Sequence, residues 1–316
     1  MGGAAQVGRR AVLGMLAGSA GAAGLTLTGC AAGDPTGISR TATGPDPAPV
    51  KISYGSDSSQ YGELHLPSGT RRPGTVVVLH GGFWRSEYGA ELGTPLAADL
   101  ARNGWVAWNL EYRRVGNGGG WPATLLDVAA GVDELGTIAA GGQHGALDIA
   151  HVVAVGHSAG GQLAAWLAGR RKWKIGDPGA PERAATPCGR GTAGPVPLTG
   201  VISQAGVLDL RGAAESGVGG NAVADLLGGT FQQVPGRFRT ADPTLQLPIG
   251  VPVHCVHSQD DRNVPYRQSA AYVSAAMSAG DPAVLHPVDG DHFTLIDPSS
   301  AAWRTVTNLL PGLLAS

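Results

Sequence analysis

Runs of apolar and β-branched residues recur along the chain from position 50 onward, each about four to eight residues long. Runs of this length, bounded by Gly, Pro, Ser or Asp, are typical of strands, and the continuous ones are typical of buried strands. The first two runs predict a pair of antiparallel strands at the start of the domain. The predicted strands are residues 50–53, 61–66, 75–80, 105–110, 149–155, 198–204, 251–258 and 283–288.

Helical spacing of apolar residues fills several of the intervals between these strands. The clearest example has apolar side chains on one face, at Leu125, Val128, Val132 and Leu135. Further helices are predicted at residues 163–167, 222–227, 266–278 and 300–314. Strands that alternate with helices predict an α/β fold, in which a mostly parallel central sheet is covered by helices on both faces. Active groups are then expected at the carboxyl ends of the strands.

The N-terminal segment has a different composition. Arg9 and Arg10 precede an uncharged, weakly apolar stretch that contains the sequence Leu-Thr-Gly-Cys at 27–30. This arrangement resembles a twin-arginine-type lipoprotein signal peptide that is cleaved before a lipidated Cys30. An uncleaved transmembrane anchor is the alternative, although many Gly and Ala residues make the stretch a weak membrane span.

The predicted organisation therefore has three parts. Residues 1–29 form the signal peptide, residues 30–49 form the lipidated cysteine and a flexible tether, and residues 50–316 form the folded domain. We expect the mature protein to be exported and anchored to the outer face of the cell membrane as a lipoprotein.

Charge and cysteine content narrow the set of partners. The formal net charge is −2 over 316 residues, without a block of Lys and Arg, so nucleic acid is not expected as a partner. Export would permit a disulfide between Cys188 and Cys255. Cys255 stands in an apolar run, which favours a buried free thiol instead. Neither cysteine has the spacing of a metal ligand, and no metal is expected.

Residues 156–160 read Gly-His-Ser-Ala-Gly and fit the G-x-S-x-G pattern of a nucleophile elbow. In that turn a serine is held in strained geometry between a strand and a helix, so its neighbours must be very small. The chain contains 51 glycines, and the pattern would occur by chance in about every second chain of this composition. Its position between a predicted strand and a small-residue helix makes Ser158 the candidate nucleophile.

A serine nucleophile needs a histidine base and a carboxylate that orients the base. In the order Ser, acid, His, the acid follows the seventh predicted strand, where Asp261 is preferred over Asp260. Asp261 stands just before a Val-Pro pair whose Pro265 is expected to open the next helix. His292 follows the last strand on a turn and is the candidate general base. His286 lies inside that strand and is interpreted as a packed histidine.

An acyl-transfer site also needs donors for the oxyanion of its tetrahedral intermediate. The sequence His-Gly-Gly-Phe-Trp at 80–84 directly follows a buried strand, and its glycines let backbone amides approach an oxygen closely. The amides of Gly82 and Phe83 are the candidate donors, together with that of Ala159 at the start of a helix. A glycine-rich turn without a functional role is the alternative.

Substrate contacts are less well defined by the sequence. Three aromatic residues could line the substrate space or serve in packing: Trp84, Tyr112 and Phe293. The segment 169–197 combines basic residues with a Pro- and Gly-rich stretch, and it fits either a surface loop or a lid.

The motifs together resemble the esterase/lipase side of the α/β-hydrolase superfamily over about residues 50–316. They are HGGFW at 80–84, EYRRVG at 111–116, GHSAGG at 156–161, HSQDDRNVP at 257–265 and DHF at 291–293. The pair HGGxW and GHSAG resembles the kynurenine formamidase-like and carbohydrate-acyl esterase groups. The hormone-sensitive lipase group differs, since Phe83 replaces its third glycine. Ser258 stands where these families usually carry glycine.

This resemblance implies an α/β-hydrolase fold and a serine hydrolase that cleaves a carboxylic ester of a small substrate. A triad of Ser158, His292 and Asp261 would act through an acyl-enzyme intermediate, without a cofactor. The same machinery could cut an amide, as in an arylformamidase or an acyl-peptide hydrolase, because the pocket selects the bond. A non-catalytic binding lipoprotein is the remaining alternative.

Overall fold

A computed structural model describes residues 47–174, 176–180 and 195–315. The predicted signal peptide, Cys30, most of the tether and Cys188 lie outside these residues. Within them, eight strands form one sheet, and their bounds agree with the predicted strands to within three residues at each end. The strands are β1 Val50–Ser53, β2 Tyr61–His65, β3 Thr75–Leu79, β4 Val106–Leu110, β5 Val152–His157, β6 Gly200–Gln204, β7 Val253–Ser258 and β8 Ala283–Val288.

The strand order in the sheet is β1-β2-β4-β3-β5-β6-β7-β8. β2 pairs antiparallel with β1 and with β4, and the other neighbours among the described strands pair in parallel. The predicted antiparallel pair and the mostly parallel sheet are confirmed. β5 shows the largest shift from its predicted bounds. It begins three residues later, after a turn held by the Asp148 carboxylate and the Gly74 amide, and it extends to His157, which pairs with Gln204 of β6.

Helices connect most of the strands. In the described ranges they are α1 Thr94–Arg102, α2 Ala123–Gly141, α3 Ala159–Gly169, α4 Leu210–Glu215, α5 Ala222–Leu227, α6 Pro235–Ala241, α7 Arg267–Ser278 and α8 Ala301–Leu314. The sequence predicted five of them and missed α1, α4 and α6. The last two span only six and seven residues, and they lack the apolar content of the equally short α5. None of the helices in the described part of the chain is long and apolar enough to span a bilayer.

Each face of the sheet has its own apolar core, because successive side chains of a strand point to opposite faces. On β3, Val77 and Leu79 pack with side chains of α2, α3 and α7. Val76 and Val78 pack on the other face with side chains of α1 and α8. Burial of both faces stabilises the fold by roughly 25 cal/mol for each Å² of apolar surface removed from water. The predicted layers are confirmed, and the carboxyl ends of the parallel strands lie along one edge of the sheet.

Cys255 lies on β7 as a completely buried free thiol. Burial raises the pKa of this thiol to about 12, so the thiol is inert as a nucleophile at neutral pH. The structure thus confirms the prediction of a buried free thiol in an apolar run.

The segment that follows α3 begins as a helical turn packed on the domain. Arg170 is buried, forms an ion pair with Asp133 and donates a hydrogen bond of 3.0 Å to the Val196 carbonyl. The ring of Trp173 packs against that of Trp166, with 4.4 Å between centroids. The start of the predicted loop or lid is thus attached to the core, and residues 181–194 lie outside the described ranges.

Candidate active site

The turn between β5 and α3 has the geometry of a nucleophile elbow. Ser158 separates the last strand residue from the first helix residue and has φ 54° and ψ −117°, a conformation that a residue with a side chain rarely adopts. A Cβ atom added at Gly160 would lie 2.1 Å from the Leu79 carbonyl oxygen, and one added at Gly156 would lie 2.1 Å from the Gly160 carbonyl oxygen. Both glycines of the motif are therefore required by close backbone contacts.

The loops that follow β7 and β8 bring Asp261 and His292 together. The Nδ1 atom of His292 donates a hydrogen bond of 2.6 Å to Oδ2 of Asp261, and both residues are buried. The other carboxylate oxygen accepts hydrogen bonds of 2.8 Å from the amides of Asn263 and Val264. Since Nδ1 is the donor, Nε2 of His292 is left with a lone pair that can accept a proton.

His257, at the carboxyl end of β7, is a further partner of Asp261. Its Nε2 atom lies 3.0 Å from the Val264 carbonyl oxygen and 3.2 Å from Oδ2 of Asp261, so this nitrogen carries the proton. Burial by itself would raise the pKa of Asp261, but the hydrogen bonds from His257, His292 and the Val264 amide hold that pKa well below its ordinary value. Asp261 therefore stays ionised at neutral pH.

The residues that compete with these candidates lie elsewhere. The Asp260 side chain is exposed. Nε2 of His286 lies 2.8 Å from Nδ1 of His254, so these two histidines pair with each other across β7 and β8. Neither Asp260 nor His286 forms a hydrogen bond with His292 within the described residues.

His157 links the elbow to His292. Its Nε2 atom donates a hydrogen bond of 3.0 Å to the His292 carbonyl oxygen, and the two rings lie 4.5 Å apart between centroids. Among the described residues no hydrogen bond joins the Ser158 hydroxyl to His292. Contacts between nucleophile and base are often long without substrate. The structure therefore places the His292 ring beside the elbow and joins it directly to Asp261.

The loop after β3 lies against the elbow. A Cβ atom added at Gly81 would lie 3.0 Å from Cβ of Ser158, so only a glycine permits this approach. Gly82 and Phe83 follow with φ of 110° and 51°. Within the described part of the chain, the amides of Gly82, Phe83 and Ala159 donate no hydrogen bond to another residue. Three amides are thus available to a ligand oxygen near Ser158.

Buried polar contacts hold this loop in place. His80 stacks on Tyr112, with 4.3 Å between ring centroids, and the Tyr112 hydroxyl donates a hydrogen bond of 2.8 Å to the His80 carbonyl. Nε2 of His80 faces the buried ion pair of Glu111 and Arg114. Burial lowers the pKa of His80 to about 3, so the ring is neutral. These buried residues fix the conformation of the loop after β3 and are not exposed to solvent.

The three aromatic candidates for substrate contact have different surroundings. Trp84 is completely buried, and its Nε1 donates a hydrogen bond of 3.0 Å to Gln162. Tyr112 is also completely buried. Both therefore belong to the packing beneath the site, which corrects the interpretation of them as substrate-lining residues. Phe293 is 58% exposed, and its ring meets that of His292 edge-on.

Several residues around the site were not identified from the sequence. Tyr88 is 46% exposed and packs directly over Gly82, so it is a second exposed aromatic ring beside the loop after β3. His157 and His257 precede Asp261 in the chain, so the order Ser, acid, His does not identify them as candidates for the base. Both stand at the carboxyl end of a strand. This position is the feature of the sequence that could have identified them as residues near the site. No cluster of three or more potential metal ligands occurs among the described residues.

Comparison with known proteins identifies the family and the fold of this chain. The sequence model of one protein family, BD-FAE, matches residues 63–275, which is more than half of the chain. The chain belongs to the BD-FAE family. This match covers Ser158, Asp261 and the loop after β3, and it ends before His292. No curated protein matches this sequence.

Solved structures share its architecture at low sequence identity. A truncated carbohydrate esterase from gut microbiota has a TM-score of 0.71 and 18% identity, with 87% of this chain and 99% of that chain covered. Esterase B of Lactobacillus rhamnosis has a TM-score of 0.68 and 21% identity, with 84% of both chains covered. Esterase Est2 of Thermogutta terrifontis has a TM-score of 0.63 and 19% identity, covering 85% and 92%. The BD-FAE family chain thus has the α/β-hydrolase fold.

We predict that Gly160→Ala disrupts the elbow. The added methyl group would collide with the backbone carbonyls of Leu79 and His80, so we expect a loss of several kcal/mol of stability or a failure to fold. Gly141→Ala, near the end of α2 with no heavy atom within 4 Å of the new Cβ, is the matched control and should be neutral. Urea unfolding of both variants makes the comparison. A Gly160→Ala protein as stable as the control would contradict the tight elbow.

Proposed function

We propose that this protein hydrolyses carboxylic esters through an acyl-enzyme intermediate on Ser158. The observation that carries the proposal is the buried hydrogen bond between Asp261 and His292 beside a strained serine at a strand-to-helix turn. A histidine oriented by an ionised carboxylate next to such a serine is the arrangement that acyl transfer needs. The esterases with a similar fold support the same reaction class.

In the proposed first step, the Ser158 hydroxyl attacks the ester carbonyl and its proton passes to Nε2 of His292. Asp261 accepts the Nδ1–H bond and stabilises the cation formed on the ring. The oxyanion of the tetrahedral intermediate would lie against the amides of Gly82, Phe83 and Ala159. Each such donor contributes about 3 kcal/mol of transition-state stabilisation in comparable enzymes.

In the second half of the reaction the intermediate collapses, and the alcohol leaves with the proton held on His292. Water then attacks the acyl-serine ester, His292 takes the proton of that water, and the carboxylic acid is released. Asp261 does not need to be protonated at any point. Its strongly lowered pKa is consistent with that role.

A short acyl group on a small, ring-shaped alcohol is the proposed substrate class. Two exposed aromatic rings, Tyr88 and Phe293, border the site, and such rings stack well on flat apolar faces. Structures of the Thermogutta esterase contain propionate or butyrate, and the gut protein is described as a carbohydrate esterase. These similarities support acylated carbohydrates as the substrates to test first.

We predict that Ser158→Ala abolishes ester hydrolysis while the protein stays folded. The variant keeps the fold because alanine preserves the small size at the elbow, but it lacks the attacking oxygen. Turnover of p-nitrophenyl acetate should fall by about 10⁴-fold or more, and Asp261→Asn should cause a loss of similar size. Steady-state kinetics of the purified variants measure both effects.

A formyl amide of an aromatic amine serves as the comparison substrate in the same experiment. Faster cleavage of the formyl amide than of acetylated sugars by the unaltered protein would favour an amide hydrolase. Undiminished ester turnover by Ser158→Ala would refute Ser158 as the nucleophile.

We further propose that the protein is exported and lipidated at Cys30, on the basis of the paired arginines and the Leu-Thr-Gly-Cys sequence. Cys30→Ser should then release the catalytic domain from the membrane fraction, because the lipid attachment site is gone. Fractionation of cells that express the full chain tests this, with Cys255→Ser as a matched cysteine control that should stay bound. Membrane retention of Cys30→Ser would favour an uncleaved anchor.

A further inference from the structure

Three buried side chains at the ends of adjacent strands donate hydrogen bonds to the loop that carries His292. His157 ends β5 and donates to the carbonyl of His292 itself, at 3.0 Å. Gln204 ends β6 and donates through Nε2 to the Leu295 carbonyl, at 2.5 Å. Ser258 ends β7 and donates through its hydroxyl to the Gly290 carbonyl. The three acceptor carbonyls thus lie before His292 in the chain, at His292 and after it.

The direction of these hydrogen bonds follows from the partners. Each acceptor is a backbone carbonyl oxygen, so each side chain has to provide the proton. All three donors are at most 5% exposed, and a buried hydrogen bond that is removed leaves a carbonyl without its partner. Burial and the neighbouring His292 lower the pKa of His157 to about 3. Its ring is therefore a neutral donor over the working pH range.

Local contacts give the loop its shape but do not attach it to the sheet. The Asp291 carboxylate accepts hydrogen bonds from the amides of Phe293 and Thr294, and Gly290 adopts φ 109°. These interactions join residues of the same turn, which contains His292. The turn follows β8 directly in the chain, and the Leu295 side chain is buried in the apolar core. The hydrogen bonds that join the turn to the ends of the other strands come from the three strand-end donors and from Asp261.

We propose that His157, Gln204 and Ser258 are positioning residues that fix the backbone of the His292 loop to the ends of β5, β6 and β7. The proposal rests on the proposed function, in which His292 is the general base. A base has to lie within hydrogen-bond reach of the nucleophile, and a displacement of about 1 Å can cost a factor of 100 in rate. Asp261 orients the ring, whereas the three donors set the position of the backbone from which the ring extends.

Ser258 is the most informative of the three. The Ser258 hydroxyl also accepts a hydrogen bond of 3.1 Å from the Asp260 amide. A single hydroxyl therefore connects the loop that holds Asp261 to the loop that holds His292.

The first experiment compares Ser258→Ala with Thr75→Val in the purified protein. Thr75 is completely buried and its hydroxyl donates a hydrogen bond of 2.7 Å to the Asp148 carbonyl, at the opposite end of the sheet. Both variants lose one hydroxyl-to-carbonyl hydrogen bond, and Ser258→Ala also loses the hydrogen bond from the Asp260 amide. With p-nitrophenyl acetate, kcat of Ser258→Ala should fall about 10- to 100-fold with KM changed by less than about twofold. Thr75→Val should keep kcat and lose only stability.

The second experiment compares His157→Gln with His157→Leu. The amide of Gln retains a donor close to the position of Nε2, whereas Leu fills the space without a donor. We expect kcat of the Gln variant to stay within about threefold of the unaltered protein, and that of the Leu variant to fall about as much as in Ser258→Ala. The low-field proton NMR signal of the His292 Nδ1–H group should persist in the Gln variant and broaden in Leu and in Ser258→Ala.

The results separate this proposal from the function on which it rests. If the unaltered protein hydrolyses esters and Ser258→Ala and His157→Leu match it in kcat, the positioning role is refuted and the function stands. A fall in kcat of Thr75→Val equal to that of Ser258→Ala would also refute it, because general destabilisation would then suffice. If the unaltered protein itself turns over no ester or amide, the proposed function fails, whatever the variants do.

Discussion

The turn between β5 and α3 leaves no room for a side chain at Gly156 or Gly160, and the rest of the site is arranged around that contact. Gly160 lies against the end of β3, so the first turn of α3 and the loop that follows β3 are held at one point. Gly81 of that loop then lies against Ser158. Backbone packing brings the serine close to this loop, in which Phe83 and Trp84 share with Ser158 the strain of a positive φ. Stable burial on both faces of the sheet holds these residues in place.

Electrostatics at the site follow from a competition between burial and hydrogen bonding. Removal of Asp261 from water disfavours its charge, and four donors, two of them backbone amides, more than offset that effect. For the buried histidines His80 and His157, burial outweighs hydrogen bonding and lowers the pKa. The ionised Asp261 and the neutral ring of His157 therefore both lie beside His292. In such surroundings a positive charge that forms on His292 is stabilised mainly by Asp261.

The strand pattern was enough to predict the sheet. It also put Ser158, Asp261 and His292 after strand ends, which meet along one edge of a parallel sheet, and the structure joins the last two by a hydrogen bond. The contacts of Trp84 and Tyr112 could not be predicted in this way. Trp84 bonds to a residue 78 positions away, and the chain shows no local sign of that partner. The positions of His157 and His257 relative to the loops after β7 and β8 likewise depend on tertiary packing. The apolar periodicity also did not predict the short helices α4 and α6 or the exact start of β5.

The most direct test of Ser158 as an acyl-accepting nucleophile is acid quenching of the protein during turnover of p-nitrophenyl acetate, followed by mass spectrometry of its peptides. The proposed mechanism predicts one added acetyl group, located on Ser158 in the peptide that contains Gly156 and Gly160. Rapid ester turnover with no acetyl group on that peptide, or with the acetyl group on another residue, would contradict it.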